Sequence, residues 1–151
     1  MDLSVLKYEL EKPGIGKHRH QLAERFIRRS DTPLKWIREW IRSDWRTAGC
    51  NYLWLAAMNA CIGRPNTPVY IVYQGLSKTD PNTFNAAIKA CRGLKIRPQI
   101  IQWWYSSTKV TLRIAAMTAC IDKFDAPKDV IEQGIKDPDI RVRRIAKQIL
   151  G

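Results

Sequence analysis

The chain lacks the long apolar run that a membrane-spanning helix needs. No stretch of its 151 residues approaches the ~20 predominantly apolar residues of such a helix. The opening segment, MDLSVLKYELEKPG, lacks the basic start and apolar run of a signal peptide. These absences predict an intracellular, cytoplasmic protein, and the length predicts a single domain over residues 1–151.

Sequence patterns typical of catalysis or metal binding are also missing. The two histidines, His18 and His20, are two residues apart and would not share one face of a helix. No Cys-x-x-Cys pair, Ser-His-Asp pattern, glycine-rich phosphate loop or HExxH sequence occurs. We therefore expect a protein that is not an enzyme, with no catalytic residues, no metal site and no cofactor.

Acidic residues are scarce relative to basic ones. Twenty-six Lys and Arg face fourteen Asp and Glu, which gives a net charge of +12 and a pI near 9.9. An excess of this size favours a polyanionic partner, although it can also be only a solvated basic surface. We expect the partner to be nucleic acid (DNA or RNA) or an acidic protein, and we expect no membrane partner.

The sequence does contain an internal repeat, marked by three of its four cysteines. The segments LWLAAMNAC, TFNAAIKAC and TLRIAAMTAC end at Cys61, Cys91 and Cys120, and VRRIAKQIL ends at Leu150 in the cysteine's place. Successive end points are 30, 29 and 30 residues apart. Constant spacing of this kind indicates stacked copies of one structural unit.

The repeated cysteines could be metal ligands, disulfide partners or small core residues. Packed helices lie about 8–10 Å apart, beyond the limit of about 7 Å between the Cα atoms of a disulfide. Free cysteine behaves as a small apolar residue when buried. We predict that these cysteines are reduced thiols in the core.

A second periodic element precedes each cysteine segment and begins at a proline, which suits the first turn of a helix. Thr32 and Thr67 are expected to cap two of these helices. Each repeat is therefore predicted to be a helical hairpin, and the hairpins span approximately 32–62, 67–92, 97–121 and 126–150. The prolines are Pro33, Pro68, Pro98 and Pro127.

The first helices also show an alternation of large and small residues. Trp36 and Trp40 lie on one face of the first of them and are predicted to pack in the core. Position 40 corresponds to Gly75, Tyr105 and Gly134 in the later copies, which is the alternation expected of interdigitating layers.

The last copy, IKDPDIRVRRIAKQILG (135–151), combines an Asp-Pro-Asp turn, a Val-Arg pair and a small residue. These residues resemble the HEAT-repeat family, particularly its short bacterial-type repeats. The resemblance covers about 120 of the 151 residues, with Arg113 in the third copy but Phe84 and Trp54 at the arginine position of the second and first. It implies an all-α fold, a right-handed α-solenoid of about four hairpins with the second helices lining the concave side. The residues in the last copy are Asp137, Pro138, Asp139, Val142, Arg143 and Ala146.

Residues 1–31 precede the first repeat and are predicted to form an N-terminal helical cap. Leu22, Ala23, Phe26 and Ile27 share one face of this segment and are expected to be buried. Basic residues lie elsewhere around it and are expected to form a charged outer face. They are Lys17, Arg19, Arg25, Arg28 and Arg29.

The second helices are predicted to carry a basic stripe on their solvent side, with positions 142, 145, 146, 149 and 150 of the last copy in the core. In HEAT repeats the arginine after valine often only pairs with an aspartate of a neighbouring repeat. Asp137 and Asp139 are candidates to neutralise Arg143 and Arg144 in that way. The stripe consists of Lys89, Arg92, Arg113, Arg143, Arg144 and Lys147.

Two tryptophans, Trp45 and Trp54, flank the longer turn of the first repeat. An exposed aromatic ring beside arginines can stack on a base or anchor a protein partner. Burial in the core is the alternative for both.

These features predict a non-catalytic binding protein that engages nucleic acid, or a nucleic-acid-containing complex, through the basic concave face and the N-terminal helix. The alternative is an adaptor that docks an acidic protein surface. A lesser alternative is a DNA glycosylase for alkylated bases, because some of these enzymes are HEAT-like with Trp and a carboxylate in a basic groove. No carboxylate stands out on a second helix here.

Overall fold

The computed structural model describes residues 2–12, 17–44 and 50–151. These residues form ten α-helices and no strand, which confirms the all-α prediction. None of the helices in these ranges is both long and apolar enough to cross a membrane. The helices are α1 Leu3–Glu11, α2 Lys17–Glu24, α3 Leu34–Ile41, α4 Cys50–Cys61, α5 Val69–Leu76, α6 Pro81–Cys91, α7 Pro98–Tyr105, α8 Val110–Ala119, α9 Lys128–Gly134 and α10 Ile140–Leu150.

The helices from α3 onward pack as consecutive pairs, α3 with α4, α5 with α6, α7 with α8 and α9 with α10. The second helix of each pair also packs against the second helix of the next, so that α2, α4, α6, α8 and α10 form a row. Among the first helices, α3 packs on α5 and α7 packs on α9. The described chain therefore has a layer of first helices and a layer of second helices.

The predicted threonine caps are wrong. Helices α3 and α5 begin one residue after Pro33 and Pro68, so each proline occupies the capping position itself. The hydroxyl of Thr32 instead donates to the carbonyl oxygen of Arg29 at 2.7 Å, and Thr67 repeats this contact with Arg64. Both threonines close the turn before the proline, because the helix starts too late for their side chains to reach its free N–H groups.

Aspartates cap two of the second helices. Asp80 accepts from the backbone N–H of Thr83 at 3.2 Å, and Asp139 accepts from that of Arg141 at 2.8 Å. At the other end, two residues beyond the cysteine, Gly63 and Asp122 adopt positive φ angles of 73° and 58°. A residue in this left-handed conformation commonly ends a helix, and Gly and Asp tolerate it best.

The alanine and cysteine positions of the repeat lie in the core between the layers. Cys61, Cys91 and Cys120 are buried free thiols, which confirms the core prediction for all three. The paired alanines beside them are also buried and let the second helices approach closely. They are Ala56, Ala57, Ala86, Ala87, Ala115 and Ala116.

The alternation of large and small residues on the first helices has a direct packing cause. Trp40 fills the core, and its indole N–H donates to the carboxylate of Glu11 in α1 at 3.2 Å. Gly75 and Gly134 are buried against Met58 and Met117, and a Cβ at either glycine would collide with the methionine side chain.

Two residues predicted to be in the core are exposed. Ile27 is 46 % exposed because α2 ends at Glu24 and Ile27 falls in the following turn. Leu150 is 58 % exposed because the described chain has no helix beyond α10 to cover it. The other three residues of the predicted cap face, Leu22, Ala23 and Phe26, are buried as expected.

Candidate nucleic-acid interface

A groove of about 520 Å³ crosses the face formed by the second helices. Its floor is apolar and its rim carries three cations, Arg28, Lys89 and Arg92. We call it the basic groove; its lining residues are Arg28, Ile62, Gly63, Ile88, Lys89, Arg92, Thr118 and Ile121.

Arg28 is held at the rim by its backbone. Its φ angle is +60°, and its N–H donates to the carbonyl oxygen of Asn59 in α4 at 3.1 Å. Asn59 in turn donates its side-chain N–H to the carbonyl oxygen of Ala23 at 2.9 Å. A Cβ at Gly63 would lie 3.3 Å from the Arg28 guanidinium, so this glycine leaves room for the arginine beside the groove.

Lys89 lies in the last turn of α6 and Arg92 is the residue that caps the end of this helix; both side chains are exposed. Arg92 forms an ion pair with Asp122 at 3.3 Å, with 56 % and 82 % of the two side chains exposed. Exposed pairs of this kind contribute little stability and are screened by salt. Arg92 is therefore available to a stronger anionic partner. Three of the residues that the sequence suggested for binding, Arg28, Lys89 and Arg92, line this one groove.

Two further grooves share lining residues with the basic groove. A smaller groove of about 250 Å³ shares Lys89 with it and is also lined by Asn82, Asn85 and residues of α2. A larger groove of about 730 Å³ shares Arg92 and Ile121 with it and is also lined by residues of α10. We call these three grooves together the trough.

Two arginines predicted to belong to the basic stripe have another role. Arg113 donates to the carbonyl oxygens of Ser107 and Thr108 at 3.2 and 3.0 Å. Arg143 makes the equivalent contacts, six and five residues back, with the carbonyl oxygens of Asp137 and Pro138 at 2.8 and 2.9 Å. The expectation that both side chains face solvent is wrong, since each folds back to bind the turn that precedes its helix.

Arg113 also reaches the next helical pair. Its Nε lies 3.1 Å from Oδ2 of Asp137, whose side chain is 2 % exposed, and the hydroxyl of Tyr105 donates to the same oxygen at 2.8 Å. Burial alone would raise the pKa of Asp137, but hydrogen bonds from the Asp139 backbone, Arg113 and Tyr105 hold that pKa below its ordinary value. Burial and the Asp137 carboxylate raise the pKa of Tyr105 to about 12.

The aspartates of the last copy do not pair as the sequence suggested. Asp137 pairs with Arg113 rather than with the side chain of Arg143. Asp139 pairs with Arg141 at 3.0 Å instead of Arg144, and hydrogen bonds from Arg141 lower the pKa of Asp139 to about 2. Arg144 and Lys147 remain exposed on α10 but do not line the trough.

Trp54 is only 5 % exposed, so it is not an exposed anchor. Its indole N–H donates to the carbonyl oxygen of Ser43 at 2.8 Å, and the Lys78 ammonium lies 4.4 Å from the ring centroid. The tryptophan therefore binds the turn before its own helix, as Arg113 and Arg143 do at the equivalent repeat position. Trp45 lies outside the described residues.

The basic residues of the N-terminal cap do not form one charged face. Arg19 is 7 % exposed, which contradicts its predicted place on the outer surface; its helix, α2, packs against both α1 and α4. Arg29 forms two hydrogen bonds with Asp31 at 2.9 and 3.0 Å, which raise the pKa of Arg29. Arg25 is exposed, and the side chain of Lys17 lies outside the described residues.

Sequence reasoning missed how unevenly the charge is distributed. Residues 45–121 contain nine Lys and Arg but one acidic residue, Asp80. This count was available from the sequence alone and would have directed attention to the middle of the chain. The sequence also contained no sign that the ring of Trp103 is exposed, because two adjacent tryptophans do not indicate which of them faces the core; Trp104 is the buried one.

The described residues contain no group of three or more His, Cys, Asp or Glu side chains that could hold a metal ion. Burial raises the pKa of the Cys61 and Cys120 thiols to about 11 and raises that of Cys91 as well. These thiols are therefore protonated and unreactive at neutral pH.

Comparison with known proteins adds no assignment, since no family model, curated protein or solved structure matches the chain.

Proposed function

We propose that this chain is a non-catalytic binding protein that engages nucleic acid, or a nucleic-acid-containing complex, through the basic groove. The observation that carries the proposal is the convergence of Arg28, Lys89 and Arg92 on one groove of a chain with a net charge of +12. Lys and Arg side chains neutralise phosphates and release their counterions, which supplies affinity without reading sequence.

The basic groove lies beside helix ends, and these ends stabilise the three cations that line it. The groove adjoins the C-terminal ends of α4, α6 and α8, where the helix dipoles place partial negative charge. These ends favour nearby Lys and Arg, but each supplies only about half an elementary charge. Three cations against these partial charges and the carboxylate of Asp122, which pairs with Arg92, leave a small net positive charge for an anionic ligand.

We also propose that the four helical pairs form a right-handed α-solenoid of HEAT-like repeats, with the second helices on its concave side. The order of the pairs supports this, as does the equivalent use of Arg113 and Arg143 in successive pairs. In such an arrangement the trough would follow the concave surface.

The test compares two double variants of equal charge. Arg28→Gln with Lys89→Gln removes two cations from the basic groove, and Lys35→Gln with Lys136→Gln removes two exposed cations outside it. Binding of a random-sequence DNA duplex is measured over a range of salt concentrations. We expect the groove variant to weaken binding and to lower the salt slope by about two units, one for each lost phosphate contact.

Equal losses from the two double variants would mean that binding comes from a diffuse positive field, and the groove proposal would then be wrong. Unchanged circular dichroism and melting of both variants exclude misfolding as the cause. A third variant, Asp122→Asn, frees Arg92 from its ion pair and should strengthen binding slightly.

The apolar floor of the basic groove favours a second candidate, an adaptor that docks an acidic protein segment. Ile88 and Ile121, which are half-buried, offer apolar surface for such a segment while the cations bind its carboxylates. A wild-type chain that fails to bind any nucleic acid, yet binds an acidic amphipathic peptide in a manner that Arg28→Gln with Lys89→Gln weakens, would establish this candidate.

A further inference from the structure

Two aromatic side chains are exposed on the layer of first helices, away from the trough. Trp103 on α7 is 60 % exposed and Tyr70 on α5 is 44 % exposed. Large exposed aromatic rings are uncommon on a soluble domain and mark sites of interaction more often than isolated aliphatic residues do.

The ring of Trp103 is fixed in place by two further rings. It lies 5.7 Å from the ring of Tyr73, centroid to centroid, with 32° between the planes. Tyr73 in turn stacks on the buried Trp104 at 6.2 Å and 23°. Trp103 therefore rests on an aromatic stack that is anchored in the core, and its exposed surface is held in a defined orientation.

Tyr70 is also held in position. Its hydroxyl accepts a hydrogen bond from Nε of Arg38 on α3 at 2.9 Å. Tyr70 and Tyr73 are three residues apart on α5, so their Cβ atoms are about 5–6 Å apart on one side of the helix. Tyr70 and Tyr73 thus occupy neighbouring positions of α5, and the ring of Tyr73 contacts that of Trp103 on α7.

Cations outnumber carboxylates on the segments that carry these rings. Helices α5 and α7 contain no acidic residue. Arg38 bonds the hydroxyl of Tyr70, and Arg97 and Lys109, which precede α7 and α8, are exposed; Glu39, beside Arg38 on α3, is an exposed carboxylate. Fixed rings on segments with an excess of cations suit a ligand that offers both flat aromatic faces and negative charge.

We propose that Tyr70 and Trp103 form a base-stacking platform for single-stranded nucleic acid, on the opposite layer from the basic groove. Unpaired bases present the flat faces that aromatic side chains stack on, whereas the bases of a duplex are already stacked on each other. The neighbouring cations would contact the phosphates of the strand. This platform is independent of the groove and does not require the groove to bind.

The test uses two replacements of one exposed residue. Trp103→Phe keeps an aromatic ring, and Trp103→Leu keeps an apolar side chain without one. Binding of a short single-stranded DNA homopolymer is measured directly and by the quenching of tryptophan fluorescence. We expect Trp103→Leu to lose at least about fivefold in affinity and most of the quenching, and Trp103→Phe to retain most of the affinity.

Duplex binding serves as the control, since the platform should contribute little to it. Trp103→Leu should leave the affinity for a duplex of the same length unchanged, and Arg28→Gln with Lys89→Gln should leave the fluorescence quenching by the single strand in place. Equal single-strand affinity of the Leu and Phe variants, or no single-strand binding by the wild-type chain, would overturn the proposal. In the second case the rings would be an apolar patch for a protein partner.

Discussion

The junction between the first and second helical pairs and the junction between the third and fourth use the same two repeat positions with opposite chemistry. One position is seven residues before the residue that ends a repeat (Cys61 or Cys120), and the other is thirteen residues before the residue that ends the next repeat (Cys91 or Leu150). At the first junction these positions hold Trp54 and Lys78, with a cation over a ring. At the last they hold Arg113 and Asp137, with a cation on a carboxylate.

Both junctions keep the contact to the turn before the second helix although the residues differ. Trp54 donates to the carbonyl oxygen of Ser43, and Arg113 donates to those of Ser107 and Thr108. At these two junctions the contact therefore depends on a long side chain with an N–H donor rather than on a charge, whereas Phe84, at the same position of the second copy, has no such donor. The last junction also has a buried acceptor, the carboxylate of Asp137. We therefore expect the last junction to contribute more stability than the first.

The largest effect should come from Asp137→Ala. This change leaves the guanidinium of Arg113 and the hydroxyl of Tyr105 without their shared acceptor in a nearly buried site. Removing one partner of a buried ion pair destabilises a protein by about 3–5 kcal/mol, measured as the free energy of unfolding in denaturant.

Asp139→Ala is the matched control, because it removes the cap of α10 but no buried pair and should cost about 1 kcal/mol. If Asp137→Ala costs no more than Asp139→Ala, the last junction is not the stronger of the two.

The two junctions should also differ in how the stability that they contribute depends on pH. The pKa of Asp137 in the folded chain is below its ordinary value. The stability that the ionised carboxylate contributes is therefore fully present at a pH above the ordinary pKa, and it is lost as the pH falls through the folded-state pKa. We expect the stability difference between the wild-type chain and Asp137→Asn to shrink as the pH falls below about 4.

The stability difference between the wild-type chain and Trp54→Phe should not shrink in this way, since an indole ring carries no group that ionises in that pH range. Urea unfolding at several pH values measures both differences. Parallel curves for the wild-type chain and Asp137→Asn down to the lowest pH would contradict the assignment of Asp137 as an ionised partner.

The smallest effect should come from Lys78→Met, which keeps the length of the side chain and removes its charge from the ring of Trp54. A cation–π contact near the surface contributes about 0.5–1 kcal/mol to stability. The exposed Lys95→Met should change the free energy of unfolding by less than about 0.5 kcal/mol. A loss from Lys78→Met as large as that from Asp137→Ala would reverse the ranking of the junctions.

The repeat period was enough to predict the helical pairs and the burial of the cysteines, because both depend on spacing alone. It was not enough for Arg113, Arg143 and Trp54. Spacing assigns a side chain to one face of a helix, but these side chains are long enough to bend back to carbonyl oxygens of the preceding turn. The geometry of that turn is not encoded in the period.

The basic groove was predictable only in part. Lys89 and Arg92 followed from the repeat, and both are exposed, Lys89 in the last turn of α6 and Arg92 at its C-terminal cap. Arg28 joins them because the turn after α2 is bound to Asn59 of α4, a contact between segments that sequence spacing does not specify. Burial of Arg19 likewise depends on how α2 packs against its neighbours α1 and α4.

Each of three successive helical pairs contains one buried thiol, so the rate of thiol labelling can measure how often each pair opens. Each thiol is shielded from solvent and protonated, so a labelling reagent can reach it only when its pair separates. With Cys50 replaced by serine, the labelling rates of Cys61, Cys91 and Cys120 would give the opening free energy of each pair separately. Three equal rates would mean that the array opens as one cooperative unit, and a gradient would mean that it frays from one end.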